Sequence, residues 1–201
     1  IQAVSALANS GPYIVVGHGA EAVQEAVWQQ FGNELHFVLQ SEQLGTGHAV
    51  QAAREIAQGK GGQVLITFGD MPLLRSESLA ELVDLHQRSG AVLTMTSVVG
   101  DVPRGAGRVL RGSDGSVRAI VEEAVASPEE LKVNEYNVSA YCIEADWLWP
   151  ALERIQVSPK GEYYLTDLVE IAVNENLKVE SYVLEDADEG QGVNTRVDLA
   201  D

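Results

Sequence analysis

Hydrophobic residues in the first half of the chain follow two alternating patterns. Short continuous apolar runs are typical of buried strands, and they occupy residues 13–19, 36–39, 64–68 and 91–99. Between them, apolar residues return every three or four positions, as Val23, Val27 and Phe31 do, which predicts helices near 20–31, 48–56 and 76–89. Strands that alternate with helices indicate an α/β fold with a parallel sheet covered on both faces.

The pattern changes after residue 100. Residues 107–111 and 117–123 flank a polar turn and predict a β-hairpin. Further strands are expected at 135–143 and 178–183, and helices near 145–155 and 164–174. We interpret this half as an extension of the same sheet with an antiparallel excursion.

Length, charge and cysteine usage narrow the class of protein. A chain of 201 residues fits one domain. The net charge of −17 argues against binding to nucleic acid and to anionic membranes, which both require basic residues. Cys142 is the single cysteine, so an internal disulfide is excluded and a cytoplasmic location is expected. It lies in an apolar run, which predicts a thiol in the core.

A glycine-rich turn, Gly45-Thr46-Gly47, separates the predicted strand at 36–39 from the following helix. Glycines let a backbone approach a ligand closely, and a helix N-terminus offers unpaired N–H groups. Gln40 and Gln43 can each donate and accept, which suits the edge of a base. The same pattern also fits an ordinary strand-to-helix turn.

Asp70 follows Gly69 at the expected carboxyl end of the strand at 64–68. Ligands bind along that edge of open α/β sheets. A carboxylate there can hold Mg²⁺ beside a phosphate, or it can cap the next turn.

Four further polar residues are candidates. Glu122 and Glu123 end a predicted strand, and alternation allows only one of them to face a ligand; both can also be solvated. Asn137 and Asn194 each lie beside valine and could bind hydroxyls or a metal, or belong to turns.

Seven motifs, taken in order, resemble one family over nearly the whole chain. The family is the uridylyltransferase domain of the bifunctional bacterial N-acetylglucosamine-1-phosphate uridylyltransferase/glucosamine-1-phosphate acetyltransferase. The motifs are Gln-Ser-Glu-Gln-Leu-Gly-Thr-Gly-His-Ala at 40–49, Phe-Gly-Asp-Met-Pro-Leu at 68–73, Gly-Arg at 107–108, Ile-Val-Glu at 120–122, Tyr-Asn at 136–137, Gly-Glu-Tyr-Tyr-Leu-Thr-Asp at 161–167 and Gly-Val-Asn-Thr-Arg at 192–196.

The resemblance implies a Rossmann-like, mixed but mainly parallel sheet and a cytoplasmic enzyme of cell-wall (peptidoglycan) precursor synthesis. The implied reaction is Mg²⁺-dependent transfer of UMP from UTP to N-acetylglucosamine 1-phosphate, which gives UDP-N-acetylglucosamine and pyrophosphate. Another sugar-1-phosphate nucleotidyltransferase and a non-catalytic nucleotide-sugar binding module are the alternatives.

Site residues are implied position by position. The family's uracil-binding positions match Gln40, Gly45 and Thr46. Its metal ligands match Asp70 and Asn194, and the second of these also touches the nucleotide.

The family's Tyr-Gly-Asp substrate motif matches Phe68, Gly69 and Asp70, so the tyrosine hydroxyl of the family is absent at Phe68. Residues that hold the sugar match Gly107, Glu122 and Asn137.

Two family features are not found between residues 1 and 201. The first is the opening Leu-Ala-Ala-Gly-x-Gly-Thr-x-Met loop with a downstream lysine, which bind the triphosphate in the family. We therefore expect a domain that is incomplete at its N-terminus and lacks one central strand. Residues 1–201 alone are expected to be inactive. The β-helix acetyltransferase domain is also not found, so a trimer is expected only if that domain follows in the natural protein.

Overall fold

A computed structural model describes residues 1–7, 11–32, 35–103, 105–193 and 195–196. The chain divides into two compact units. The first unit combines residues 1–62 with 145–168, and the second combines residues 63–144 with 169–201. Each unit is therefore assembled from two separate stretches of sequence.

The helices and strands lie close to their expected limits, apart from the helix expected at 48–56, which is divided in two. In chain order they are α1 Gln2–Ser5, β1 Tyr13–Val16, α2 Ala20–Phe31, β2 His36–Leu39, α3 Thr46–Ala52, α4 Arg54–Ala57, β3 Gln63–Thr67, α5 Ser76–Ser89, β4 Leu93–Val99, β5 Arg108–Arg111, β6 Val117–Val121, β7 Glu135–Glu144, α6 Ala145–Leu152, α7 Asp167–Asn174 and β8 Val179–Val183, with 3₁₀ turns at Glu130–Lys132 and Ala187–Gly190.

In the first unit, β1 and β2 pair in parallel with α2 as the connection between them. None of the residues of α2 is buried, and Val23 on its predicted apolar face is 43% exposed. The buried apolar side chains of this unit instead concentrate in α6, where Leu148 and Trp149 are almost fully enclosed. The periodicity of α2 thus predicted the helix but not the depth of its burial.

In the second unit, β7 pairs antiparallel with β3, β4 and β5. β8 runs parallel to β4, and β6 runs antiparallel to β5. The mixed α/β class is confirmed. β3, β4 and β8 share one direction, but β7 lies between β3 and β4 in the opposite direction, so the pairs in this sheet are mostly antiparallel rather than parallel. Within the antiparallel excursion, β7 therefore lies in the middle of the sheet, and the β5–β6 hairpin lies at its edge.

Two smaller observations complete the fold. Cys142 is a buried free thiol in β7, as predicted, and burial raises the pKa of this thiol to about 12. Among the described residues, no helix combines the length and the apolar character that crossing a bilayer requires.

A buried histidine fastens α5 to the sheet of the second unit. His86 is 1% exposed; its Nδ1 lies 2.9 Å from Thr94 Oγ1 and its Nε2 lies 3.1 Å from Glu144 Oε1. Burial lowers the pKa of His86 from its ordinary 6.5, although the charge of Glu144 and its hydrogen bond act in the opposite direction. The folded protein therefore favours the neutral imidazole.

This geometry predicts an acid-sensitive stability. Because the pKa of His86 is lower in the folded state, the unfolded chain binds the proton first, and stability present above pH 6.5 is lost as the pH falls. The loss approaches about 1.4 kcal/mol per pH unit at most. Urea unfolding of the second unit between about pH 5.5 and 7.5 measures it.

The controls are His86→Gln and His18→Gln. Replacing His86 should flatten the pH dependence, whereas replacing the exposed His18 should leave it unchanged. An equal pH dependence in the His86 variant and the wild type would contradict the assignment.

Candidate functional site

The turn before α3 requires glycine because another part of the same unit fills the space beside it. Gly45 has φ of 98° and ψ of −179°, a region that side chains disfavour. A Cβ there would lie 2.7 Å from the carbonyl oxygen of Tyr163 and 2.9 Å from its nitrogen. The close approach expected from a ligand at this position is therefore made by the chain itself.

Hydrogen bonds join this turn to residues 163–165. Tyr163 N donates to Leu44 O at 2.7 Å, and Gly47 N donates to Tyr163 O at 2.8 Å. Leu165 N donates to Thr46 Oγ1 at 2.9 Å. The N–H of Gly47, expected to be open at the start of α3, is thus already bonded, and the turn is held rigidly in one shape.

Gln40 lies at the end of β2 and faces inward. Its side chain is largely buried, and its Nε2 donates to Gly45 O at 3.1 Å and lies 3.0 Å from His48 Nδ1. Its backbone N donates to Val16 O at 2.8 Å. With both N–H groups of the amide engaged, Oε1 is the part of this carboxamide left to accept a bond from a base.

Asp70 lies past the carboxyl end of β3 and is exposed, as is Gly69, while Phe68 is half-buried. Val193 N donates to the backbone oxygen of Asp70 at 2.8 Å. Asn194 lies outside the described residues. The bond nevertheless places the residue immediately before it against Asp70, across more than a hundred positions of sequence.

Three residues expected to hold a sugar come together in the second unit. Asn137 N donates to Gly107 O at 2.9 Å. A Cβ added to Gly107 would lie 2.8 Å from Ile120 Cγ2 and 3.5 Å from Glu122 Oε1, so the carboxylate approaches the glycine where a side chain would otherwise stand. Gly107, Glu122 and Asn137 are therefore neighbours, and we refer to them as the β5–β7 cluster.

The adjacent carboxylate, that of Glu123, binds the loop before β5. Glu123 Oε2 accepts from Gly105 N at 3.0 Å and from Arg108 Nη2 at 3.4 Å, and Arg108 also donates to Ala106 O. Glu123 thus fixes the loop that leads into Gly107. Glu122 Oε1 approaches the position of a Cβ on Gly107, whereas Glu123 accepts from Gly105 and Arg108 on either side of it.

Sequence reasoning missed the residues that support this cluster. Asn137 Nδ2 donates to Tyr141 Oη at 2.7 Å, and Ser139 N donates to Asn137 Oδ1 at 3.2 Å. Burial raises the pKa of Tyr141 above its ordinary range, and the charge of Glu122 adds to the increase, so the hydroxyl stays protonated. A tyrosine within the apolar run 138–143 was the available signal.

A ready-made metal centre of three or more His, Cys, Asp or Glu side chains is absent from the part of the chain that the structure describes. The expected ligands, the carboxylate of Asp70 and the amide oxygen of Asn194, include only one side chain of these four types. Mg²⁺ bound beside phosphates commonly uses only one or two protein ligands and completes its shell with phosphate oxygens and water. The exposed carboxylate of Asp70 fits that kind of site.

The chain is similar to known proteins in family and in sequence. A model of the nucleotidyl transferase family matches residues 3–191. The bifunctional protein GlmU of Geobacter sulfurreducens is 43% identical over 203 residues, which cover 99% of this chain and 42% of the relative. That of Enterococcus faecalis is 42% identical over 92% of this chain and 40% of the relative. The chain thus spans about two fifths of the length of these curated relatives.

A solved structure supports the fold alone. HddC from Yersinia pseudotuberculosis matches with a TM-score of 0.66 and 13% identity, over 99% of this chain and 80% of that chain. The family recognised from the sequence motifs is confirmed by the family model and agrees with the curated relatives.

The Gly45 turn generates a stability prediction. Gly45→Ala should destabilise the first unit by about 2–4 kcal/mol, because the new methyl group meets the backbone of Tyr163 and the dihedral angles disfavour alanine. Thermal or urea unfolding of the protein measures the loss.

Gly59→Ala is the matched control, because Gly59 has φ of 79° with nothing within 4 Å of an added Cβ. It should cost only the conformational part, about 1–2 kcal/mol. Equal losses in the two variants would contradict a clash with Tyr163.

Proposed function

The chain belongs to the nucleotidyl transferase family, and we propose that it transfers UMP from UTP to N-acetylglucosamine 1-phosphate. The products would be UDP-N-acetylglucosamine and pyrophosphate, and the sugar nucleotide would serve cell-wall precursor synthesis. The observation that carries this proposal is the meeting of Gly107, Glu122 and Asn137, which stand apart in sequence and form one polar cluster. Similarity to the bifunctional GlmU proteins supports the same reaction.

The turn formed by Gly45 and Thr46 is the proposed uracil site. Uracil presents two carbonyl acceptors and one N–H donor on its edge, so it needs fixed backbone groups and one acceptor. The bonds to Tyr163 hold the turn in shape, and Gln40 Oε1 remains as an acceptor for the ring N–H. A rigid, prearranged turn lowers the entropy cost of binding the base.

The β5–β7 cluster is the proposed sugar site. The carboxylate of Glu122 accepts from a sugar hydroxyl, and Oδ1 of Asn137 can accept from a second one. Gly107 lets Glu122 lie close to the backbone that Asn137 binds, since any side chain there would collide with Ile120. The sugar is thus held by directional bonds rather than by charge alone.

The reaction itself needs positioning more than a protein nucleophile. A phosphate oxygen of the sugar phosphate forms a bond to the α-phosphorus of UTP, and the bond to the pyrophosphate oxygen breaks. Asp70 and Asn194 are the proposed ligands of Mg²⁺, and the bond between Val193 and Asp70 supports their pairing. A Mg²⁺ ion held there would supply positive charge beside the phosphates.

Asp70→Asn tests the proposal. In the full-length natural protein, this change should reduce Mg²⁺-dependent formation of UDP-N-acetylglucosamine by about two orders of magnitude, because the carboxylate charge at the metal is lost. Pyrophosphate release in a coupled assay provides the measurement.

Asp84→Asn is the control, because Asp84 is an exposed carboxylate on α5 that pairs with Arg88. Its activity should equal that of the wild type. Full activity in the Asp70 variant would reject the metal assignment, and wild-type protein without turnover at any Mg²⁺ concentration would reject the enzyme function.

A comparison of nucleotides separates the proposed substrate from its alternatives. UTP should be preferred over CTP, dTTP and GTP by at least about tenfold in kcat/KM, because the turn at Gly45 is too rigid to adapt to other bases. A preference for another nucleotide would indicate a different sugar-1-phosphate nucleotidyltransferase. Calorimetric binding of UDP-N-acetylglucosamine without any turnover would indicate a binding module.

A further inference from the structure

The pairing between β4 and β7 is interrupted beside Asn137. Met95 pairs with Tyr141 and Ser97 pairs with Asn137, so Thr96 alone faces the three residues 138–140 of β7. Within this bulge Ser139 has φ of 58°, a left-handed conformation that residues other than glycine adopt at an energetic cost. Strain of this kind persists only where the surrounding structure enforces it.

The side chain of Thr96 supports the bulge from the other strand. Ala140 N lies 3.3 Å from Thr96 Oγ1, and Thr96 Oγ1 donates to Ala140 O at 3.3 Å. Thr96 is fully buried, so these bonds satisfy backbone groups that the broken ladder would leave without partners. The bulge is therefore a stabilised feature of the fold.

The bulge brings two distant side chains into contact. In a straight strand, residues four apart lie about 13 Å from each other. Here Tyr141 Oη accepts from Asn137 Nδ2 at 2.7 Å, within the same strand. The shortened path through Ser139 makes this contact possible.

These bonds also fix which way the carboxamide of Asn137 points. Ser139 N can only donate, so the atom 3.2 Å from it must be Oδ1. Nδ2 is then directed to Tyr141 Oη, with Ser139 Oγ at 3.5 Å on the same side. Both N–H groups of Nδ2 thus have partners within the protein, and one lone pair of Oδ1 remains to accept a hydrogen bond from a ligand hydroxyl.

We propose that Tyr141, held against Asn137 by the bulge at Ser139, is a positioning residue that selects the sugar phosphate by fixing the orientation of the Asn137 carboxamide. This inference rests on the proposed function, because it assigns the sugar to the β5–β7 cluster. Tyr141 is 1% exposed and acts through Asn137 rather than by touching the substrate. The hydroxyl of Tyr141 contacts the carboxamide of Asn137, and the ring of Tyr141 packs in the core.

Tyr141→Phe removes that hydroxyl and keeps the ring. In the full-length natural protein, the KM for N-acetylglucosamine 1-phosphate should rise about tenfold, while the KM for UTP and kcat stay within about twofold. Tyr136→Phe is the matched control, since Tyr136 is a buried tyrosine of the same strand that lies beside Gly190. It should leave all three constants within about twofold.

A double-mutant cycle tests whether Tyr141 acts through Asn137. In an Asn137→Ala background, Tyr141→Phe should produce no further rise in the KM for the sugar phosphate. A further tenfold rise there, an unchanged KM in the single variant, or an equal rise in the KM for UTP would each overturn the proposal.

Ser139→Gly provides a second variant that folds readily, because glycine accepts the left-handed conformation. It keeps the bulge and should raise the KM for the sugar phosphate less than Tyr141→Phe does. A larger rise would overturn the role assigned to Tyr141. Wild-type protein that fails to turn over N-acetylglucosamine 1-phosphate would reject the proposed function, whereas wild-type turnover with an unaffected Tyr141 variant would reject only this inference.

Discussion

The hydrogen-bond ladder of β7 is the constraint on which the second unit depends. Ile143 pairs with Val64 on one side and with Leu93 on the other, so a single strand joins two strands that run in the opposite direction. The same strand reaches β5 through Tyr136. Its pairing with β4 is interrupted beside Asn137. The strand that joins the others in this sheet therefore also contributes a residue to the candidate sugar site.

The sequence allowed the elements to be predicted well, because apolar periodicity records which faces are buried. α2, β2 and α5 have the expected limits. The order of strands was less accessible, because the apolar run of β7 contains no information about its direction or its neighbours. Pairing depends on side chains from distant strands, which periodicity within one segment does not reveal.

The candidate site was predictable as residue types but not as geometry. Gly45 was identified as a position of close approach, and the structure shows that Tyr163 makes that approach. The role of Tyr141 was missed, because it depends on a backbone turn at Ser139, a residue type that seldom adopts that conformation. Motif resemblance supplied the assignments that physical reasoning left open.

The division of the chain into nested stretches has a consequence for biosynthesis. Residues 1–62 leave the ribosome long before residues 145–168, which complete the same unit. Until Tyr163 emerges, the backbone around Gly45 lacks the partners that hold it. The intervening segment can begin to fold during that delay, since domains form as their residues become available. Nascent chains that stop before residue 163 would therefore lack the hydrogen bonds that hold the turn at Gly45 in shape.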